Sequence, residues 1–178
     1  MKLPSVDQFR EPFVLPIGHL AMQAAYADEQ LALLCAAASE EGENPLSPEE
    51  TAHKMRNWDD NSKRFAFDLV SGIGQPEIRA SALVALQEYG DLRELRHRAI
   101  HDSISLGLYG DAEAGYEARP LAVEFRRGRE TTTQHLRETT PDHVAAVACR
   151  FEEVQKTFEF ITYHLRDSRA ENRPLDAT

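Results

Sequence analysis

The chain has 178 residues, 42% of them apolar, which suits one globular domain able to bury a core without disulfides or structural metal. Its net charge of -10 counts against broad neutralisation of nucleic-acid phosphates, a mode that needs a basic face. No apolar run approaches the roughly 18 to 20 residues that span a bilayer, and Asp7, Arg10 and Glu11 interrupt the N-terminus where a secretion signal is uniformly apolar, so a cytoplasmic protein with no membrane partner is expected.

Residues 1–15 contain Pro4 and Pro12 and no sustained period, and predict an extended N-terminal arm. Pro16 then opens a first helix to about Ser39, with Ile17, Leu20, Ala24, Leu31, Leu34, Cys35 and Ala38 near the 3.6-residue period. After a polar loop, Ser47-Pro48-Glu49-Glu50 combines an N-cap serine, a proline at the first helical position and a glutamate placed to close a capping box. One helix to about Val70 is expected from it. Trp58, Phe65 and Phe67 on that helix read as core in preference to base-stacking groups. Gly72, Gly74 and Pro76 punctuate the chain before a third run through Ile78, Leu83, Leu86 and Tyr89, and Gly90-Asp91 reads as a break or kink that caps a segment from Leu92 to about Ser103.

Past Ser105, Gly107, Gly110, Gly115 and Pro120 mark loops. Leu121, Val123 and Phe125 alternate with Ala122, Glu124 and Arg126 as a half-buried strand does, and Arg127-Gly128-Arg129 would turn it into a partner from Glu130 to Leu136. Thr140-Pro141-Asp142 then starts a closing helix whose apolar face runs through Val144, Val147, Ala148, Phe151, Val154, Phe158, Ile161 and Leu165. The expectation is an all-α, up-and-down bundle of four or five helices over 16–167, with a small β-hairpin inserted around 119–137 and a flexible tail over 168–178. Cys35 and Cys149 lie in separate helical patterns with no CxxC pair, and both are read as buried free thiols.

The chemistry-bearing stretch is Leu92-Arg93-Glu94-Leu95-Arg96-His97-Arg98-Ala99-Ile100-His101-Asp102. Metal-independent cleavage of RNA needs a base for the ribose 2'-hydroxyl proton, an acid for the leaving 5'-oxygen and positive charge on the crowded phosphate. A histidine titrating near neutrality and the two-pronged donor of an arginine supply all three, and His101 and Arg96 are the candidates. The bland alternatives are a surface ion pair for Arg96 and a partly buried histidine bonded to a carbonyl for His101. Residues five apart on one helix point about 140° apart, so Arg96 and His101 of one chain flank a site rather than converge on it. His97 and His101 also have the spacing of two metal ligands, but no third ligand suggests itself and neither a metal nor a cofactor is expected. Arginine supplies 16 of the 20 cationic residues, with Arg93, Arg96 and Arg98 in one cluster and Arg119, Arg126, Arg127, Arg129 and Arg137 in another. These suit phosphate, or form a solvated surface.

Arg96-His97-x-x-x-His101, late in an apolar helix and followed by an irregular stretch and a closing helix, resembles the arginine–polar–x3–histidine motif of the HEPN superfamily. The resemblance extends over most of residues 16–166. It implies a helical bundle in which the motif helices of two copies meet, so that two Arg96 and two His101 form one composite ribonuclease site, with His97 orienting His101 or touching substrate. It also implies a homodimer, an RNA substrate, an antitoxin or regulatory protein partner, and a setting in defence or stress; no DNA partner is expected. In HEPN toxins paired with nucleotidyltransferase antitoxins a tyrosine commonly follows the histidine, and Asp102-Ser103 stand there instead, which argues against that particular pairing. The competing readings are a non-catalytic helical dimer that holds a nucleotide or a partner protein in the same groove, and a plain interaction bundle.

Overall fold

The computed structural model describes residues 7–40, 42, 44–101, 103–111, 115–127 and 132–171; at 98, 100, 101 and 171 and throughout the strands it describes the backbone. Among the described residues there are five helices: α1 (Glu11–Ser39), α2 (Pro48–Met55), α3 (Asp60–Ser71), α4 (Pro76–His101) and α5 (Pro141–Glu171). Between α4 and α5 lie three strands, β1 (Ser103–Asp111), β2 (Gly115–Arg127) and β3 (Thr132–Glu138). The expected helical bundle is therefore present, carrying a larger β insertion than the hairpin read from sequence.

Several boundaries move, each for a local reason. Helix α1 starts at Glu11, so 11–15 are helical rather than extended; the part of the expected arm over 1–6 lies outside the described residues. The Asp7 carboxylate accepts from the backbone N–H groups of Phe9 and Arg10 at 3.1 and 3.0 Å, and its carbonyl accepts from Glu11 N–H at 2.9 Å, which organises the turn that enters the helix. Pro12 falls in the first turn, where a missing N–H costs nothing. Pro16 is interior, where a proline costs about 3 kcal/mol. Phe13, 1% exposed, is the compensating anchor.

The predicted second helix is two. The capping box forms as read, Glu50 N–H on Ser47 Oγ at 3.2 Å and Ser47 N–H on Glu50 Oε2 at 2.8 Å. However, Trp58 adopts a left-handed backbone (φ 49°) and Asp59 caps α3 through Ser62 N–H at 2.9 Å. Ser62 Oγ in turn donates to the Lys54 carbonyl at 2.9 Å and ties α3 back to α2. A periodic apolar pattern cannot reveal such a break, because both helices present apolar residues to the same core.

Conversely, Gly90-Asp91 does not break α4. A glycine within a helix costs on the order of 1 kcal/mol, less than the burial of a single large apolar side chain such as Leu86, Tyr89 or Leu92 contributes. The Trp58 indole lies 3.7 Å from where a Cβ on residue 90 would stand. Helix α5 opens as expected, with His143 N–H on Thr140 Oγ1 at 3.1 Å, and runs on to Glu171, so 168–171 are helical rather than tail; the remainder of the predicted tail, 172–178, lies outside the described residues.

The strands form one antiparallel sheet in the order β1-β2-β3. β1 occupies the stretch expected to be loop: a run with three glycines and a proline in 107–120 reads as punctuation, yet Gly107 pairs with Arg119 and Leu106 with Pro120. The proline is tolerated because β3 stops pairing one residue earlier, at Leu121 with Glu138, so that β2 has a neighbour on one side only where its N–H is missing. The expected partner strand is displaced, running from Thr132 to Glu138 in place of Glu130 to Leu136; the turn at 128–131 lies outside the described residues.

The chain divides into two compact units. The first comprises 1–22 and 92–150 and contains the whole sheet, whose consecutive antiparallel pairings satisfy one another locally. The second comprises 23–91 and 151–178. Its core is built on Leu31, Leu34, Val70, Leu86, Phe158 and Ile161, all fully buried, around an aromatic cluster in which Tyr89 meets Trp58, Phe151 and Phe158 edge-on at 4.8, 6.3 and 5.8 Å. Thr51 Oγ1 donates to the Ala32 carbonyl at 2.9 Å, and Arg169 near the end of α5 donates to both the Glu40 carboxylate and the Ala37 carbonyl at 2.7 Å.

Candidate functional site

Arg96 and His97 lie in the final turns of α4, within the first unit, and His101 is the last residue of that helix. Arg96 is half-buried and His97 exposed; the side chain of His101 lies outside the described residues. What places them is the apolar pattern around them. Leu95 and Ala99, one turn apart, line one side of α4 and close a small pocket of about 30 Å³ with Thr139, His143, Val144 and Val147 from the start of α5.

At about 100° per residue, His97 falls roughly opposite the Leu95/Ala99 line and Arg96 about 80° to one side of it. Position 101 is one turn beyond His97 on the same side of the helix. The two histidine positions therefore occupy the side of α4 turned away from α5, and Arg96 stands on the flank. A single chain accordingly offers an imidazole-bearing face beside a guanidinium, and a second such helix facing it would complete an arrangement of two acid/base groups around a phosphate.

The arginine-rich second cluster follows at once, on the sheet of the same unit. In register, Arg119 stands opposite Gly107, Arg126 opposite Thr133, Arg127 opposite Thr132 and Arg137 opposite Ala122, while His135 stands opposite Glu124. Arg129 lies outside the described residues. Motif helix and sheet are joined through the single residue 102, so the two arginine clusters belong to one compact unit.

One further histidine adjoins this region. His143 is exposed on the rim of the small pocket, on the side of α4 opposite His97. The Thr140-Pro141-Asp142 start signal places it in the first turn of α5 but gives no hint that α4 packs there. Trp58, read as core, is buried at 8% exposure, and Phe65 and Phe67 are half-buried.

Of the two cysteines, Cys35 is buried as expected. Burial pushes its thiol up to about 12, and its Sγ lies 3.8 Å from Met55 Sδ. Cys149 is exposed, a correction to its predicted burial: it follows the apolar residues Val147 and Ala148 in sequence but falls on the outward side of α5. Among the described residues no group of three or more His, Cys, Asp or Glu is placed to hold a metal ion. An open groove of about 500 Å³ in the second unit, lined by Ala80, Val84, Glu88, Glu153, Val154 and Thr157 among others, contains no histidine or arginine.

The chain matches no protein-family model, no curated protein and no solved structure. No helix among the described residues is long and apolar enough to cross a membrane.

Proposed function

We propose that this protein is a HEPN-like, metal-independent endoribonuclease of the toxin or defence-effector type, cutting RNA at a site composed from two copies of the motif helix. The observation that carries the reading is that Arg96 and His97 stand on a continuous helix ending at His101, with both histidine positions on the side of that helix that α5 leaves uncovered. In this reaction one His101 imidazole removes the proton from a ribose 2'-hydroxyl. The freed oxygen attacks the adjacent phosphorus, and the P–O5' bond breaks to leave a 2',3'-cyclic phosphate. The partner's imidazole, protonated, donates to the departing 5'-oxygen. Arg96 forks onto the non-bridging phosphate oxygens as charge gathers there, and His97, one turn before His101, orients it or contacts the substrate. RNA is the substrate, and an antitoxin or regulatory protein is the natural restraint on such an activity.

Support comes also from the arginines of the adjoining sheet, which give the one unit a concentrated set of phosphate donors in a chain whose net charge is -10. That same acidity favours the second reading, a non-catalytic helical dimer that binds a nucleotide or a partner protein through the Arg/His face. The deciding experiment is cleavage of a mixed RNA pool in EDTA by the wild type and by His101→Ala. Cutting that survives EDTA and disappears with His101 supports the nuclease; intact RNA with both proteins, together with measurable nucleotide or protein binding that Arg96→Ala weakens, supports the second reading.

A further inference from the structure

The N-terminal half of α1 is unlike the rest of the surface. From Pro12 to Ala27 the chain has no Asp, Glu, Lys or Arg, although 28% of the whole protein is charged, and no Lys or Arg occurs between Arg10 and Lys54. An uncharged, largely apolar helix is normally covered on all sides. Here Phe13 and Leu20 are buried, while on the other side Leu15 is 69% exposed, Val14 53% and Met22 51%. Leu15, Gly18 and Met22 recur at the helical period, and a Cβ on Gly18 would meet nothing within 4 Å.

From this we infer that the exposed stripe of α1 around Leu15, Gly18 and Met22 is a self-association surface, covered by the same stripe of a second copy in an antiparallel helix pair. Three considerations select a second copy. Across the rest of the surface two chains of net charge -10 repel, whereas this stripe is uncharged and a twofold pairing makes it self-complementary. The glycine at the centre of the stripe lets the two helix backbones approach closely, with Leu15 and Met22 flanking the crossing. The exposed parts of Val14, Leu15 and Met22 amount to roughly 300 Å² per copy; with the intervening helix surface a pair reaches the order of 1,000 Å² at which a specific interface becomes stable. A lipid surface is the poorer match, because interfacial helices carry Lys and Arg on their polar face and α1 has none.

The inference does not depend on the two-copy site proposed above, and its test reads mass rather than RNA cleavage. Sedimentation equilibrium of the full chain should give a dimer at micromolar concentration. Leu15→Glu and Met22→Glu, at positions already more than half exposed, should each raise the dimer dissociation constant on the order of 100-fold while leaving circular dichroism and the melting midpoint of the monomer intact. In a Cys149→Ser background, Gly18→Cys should form a disulfide-linked dimer on mild oxidation. A wild type that stays monomeric at tens of micromolar overturns the inference, as does a dimer that neither glutamate weakens. Monomers that float with neutral phosphatidylcholine vesicles overturn it in favour of a membrane surface. A dimer that dissociates as described yet leaves RNA intact upholds this interface and counts against the nuclease alone.

Discussion

Tyr89, 1% exposed at the centre of the aromatic cluster, donates its phenolic hydrogen to Asp28 Oδ1 at 2.5 Å, linking α4 to α1 across 61 residues of sequence. The ring is held edge-on by Trp58, Phe151 and Phe158, so the hydroxyl has little freedom to find another acceptor. A hydrogen bond to a carboxylate contributes about 1.5–3 kcal/mol. Tyr89→Phe keeps the ring contacts and loses the bond. Its urea midpoint should fall by a corresponding amount with an unchanged m-value, and loss of less than about 0.5 kcal/mol would show that water replaces the phenol at no cost.

Trp58 combines a buried indole with a left-handed backbone. Trp58→Ala removes the edge-on contact with Tyr89 and leaves a cavity, a loss of about 3–5 kcal/mol. Trp58→Gly removes the same side chain but relieves the backbone, because glycine adopts positive φ freely where an L-residue is disfavoured by about 1–2 kcal/mol. The glycine variant should therefore be the more stable of the two by roughly 1 kcal/mol. Equal stabilities would mean that the turn rearranges once the indole is gone.

The two thiols differ in exposure, and this can be counted. Native protein should react at one thiol with a disulfide reagent, at Cys149, and at two in denaturant. The pH dependence follows from Cys35. Its folded thiol titrates at about 12 and an unfolded one near 9, so the stability it contributes is fully present below pH 9 and is lost as pH rises toward 12, with a slope of at most about 1.4 kcal/mol per pH unit. Cys35→Ala should flatten this part of the stability curve relative to wild type. An identical alkaline slope in both would assign the loss to other groups.

At the proposed site Arg96→Lys is the informative change. Lysine keeps the charge but lacks the planar fork, and a purely electrostatic role would survive it. For the ribonuclease, kcat should fall on the order of 100-fold with Lys and further with Ala, while the melting midpoint moves little because the side chain is only half-buried. His97→Ala should cost less, about tenfold. Activity unchanged in all three would remove these residues from the chemistry.

The number, order and polarity of most helices are legible in the sequence because they depend on local rules: an apolar stripe near 3.6 residues and the cap signals at Ser47 and Thr140, both of which form as read. The candidate motif is likewise legible, since Arg96, His97 and His101 are defined by spacing along one helix. What tertiary structure decided is where competing costs had to be weighed against burial. It carried α1 through Pro16 with Phe13 buried on the preceding turn, kept α4 whole across Gly90 between the buried Tyr89 and Leu92, and broke the second helix at Trp58, whose indole meets Tyr89 edge-on from a left-handed backbone. Pairing made a strand of the stretch 103–111, whose ladder partners in β2 lie 4 to 20 residues further along the chain, most of them beyond the reach of a local pattern. Packing of Leu95 and Ala99 against α5, in the same way, determined which side of the motif helix its histidine positions occupy. Sequence specifies each element's chemistry, but which side of it faces a neighbour is a property of contacts between residues far apart in the chain.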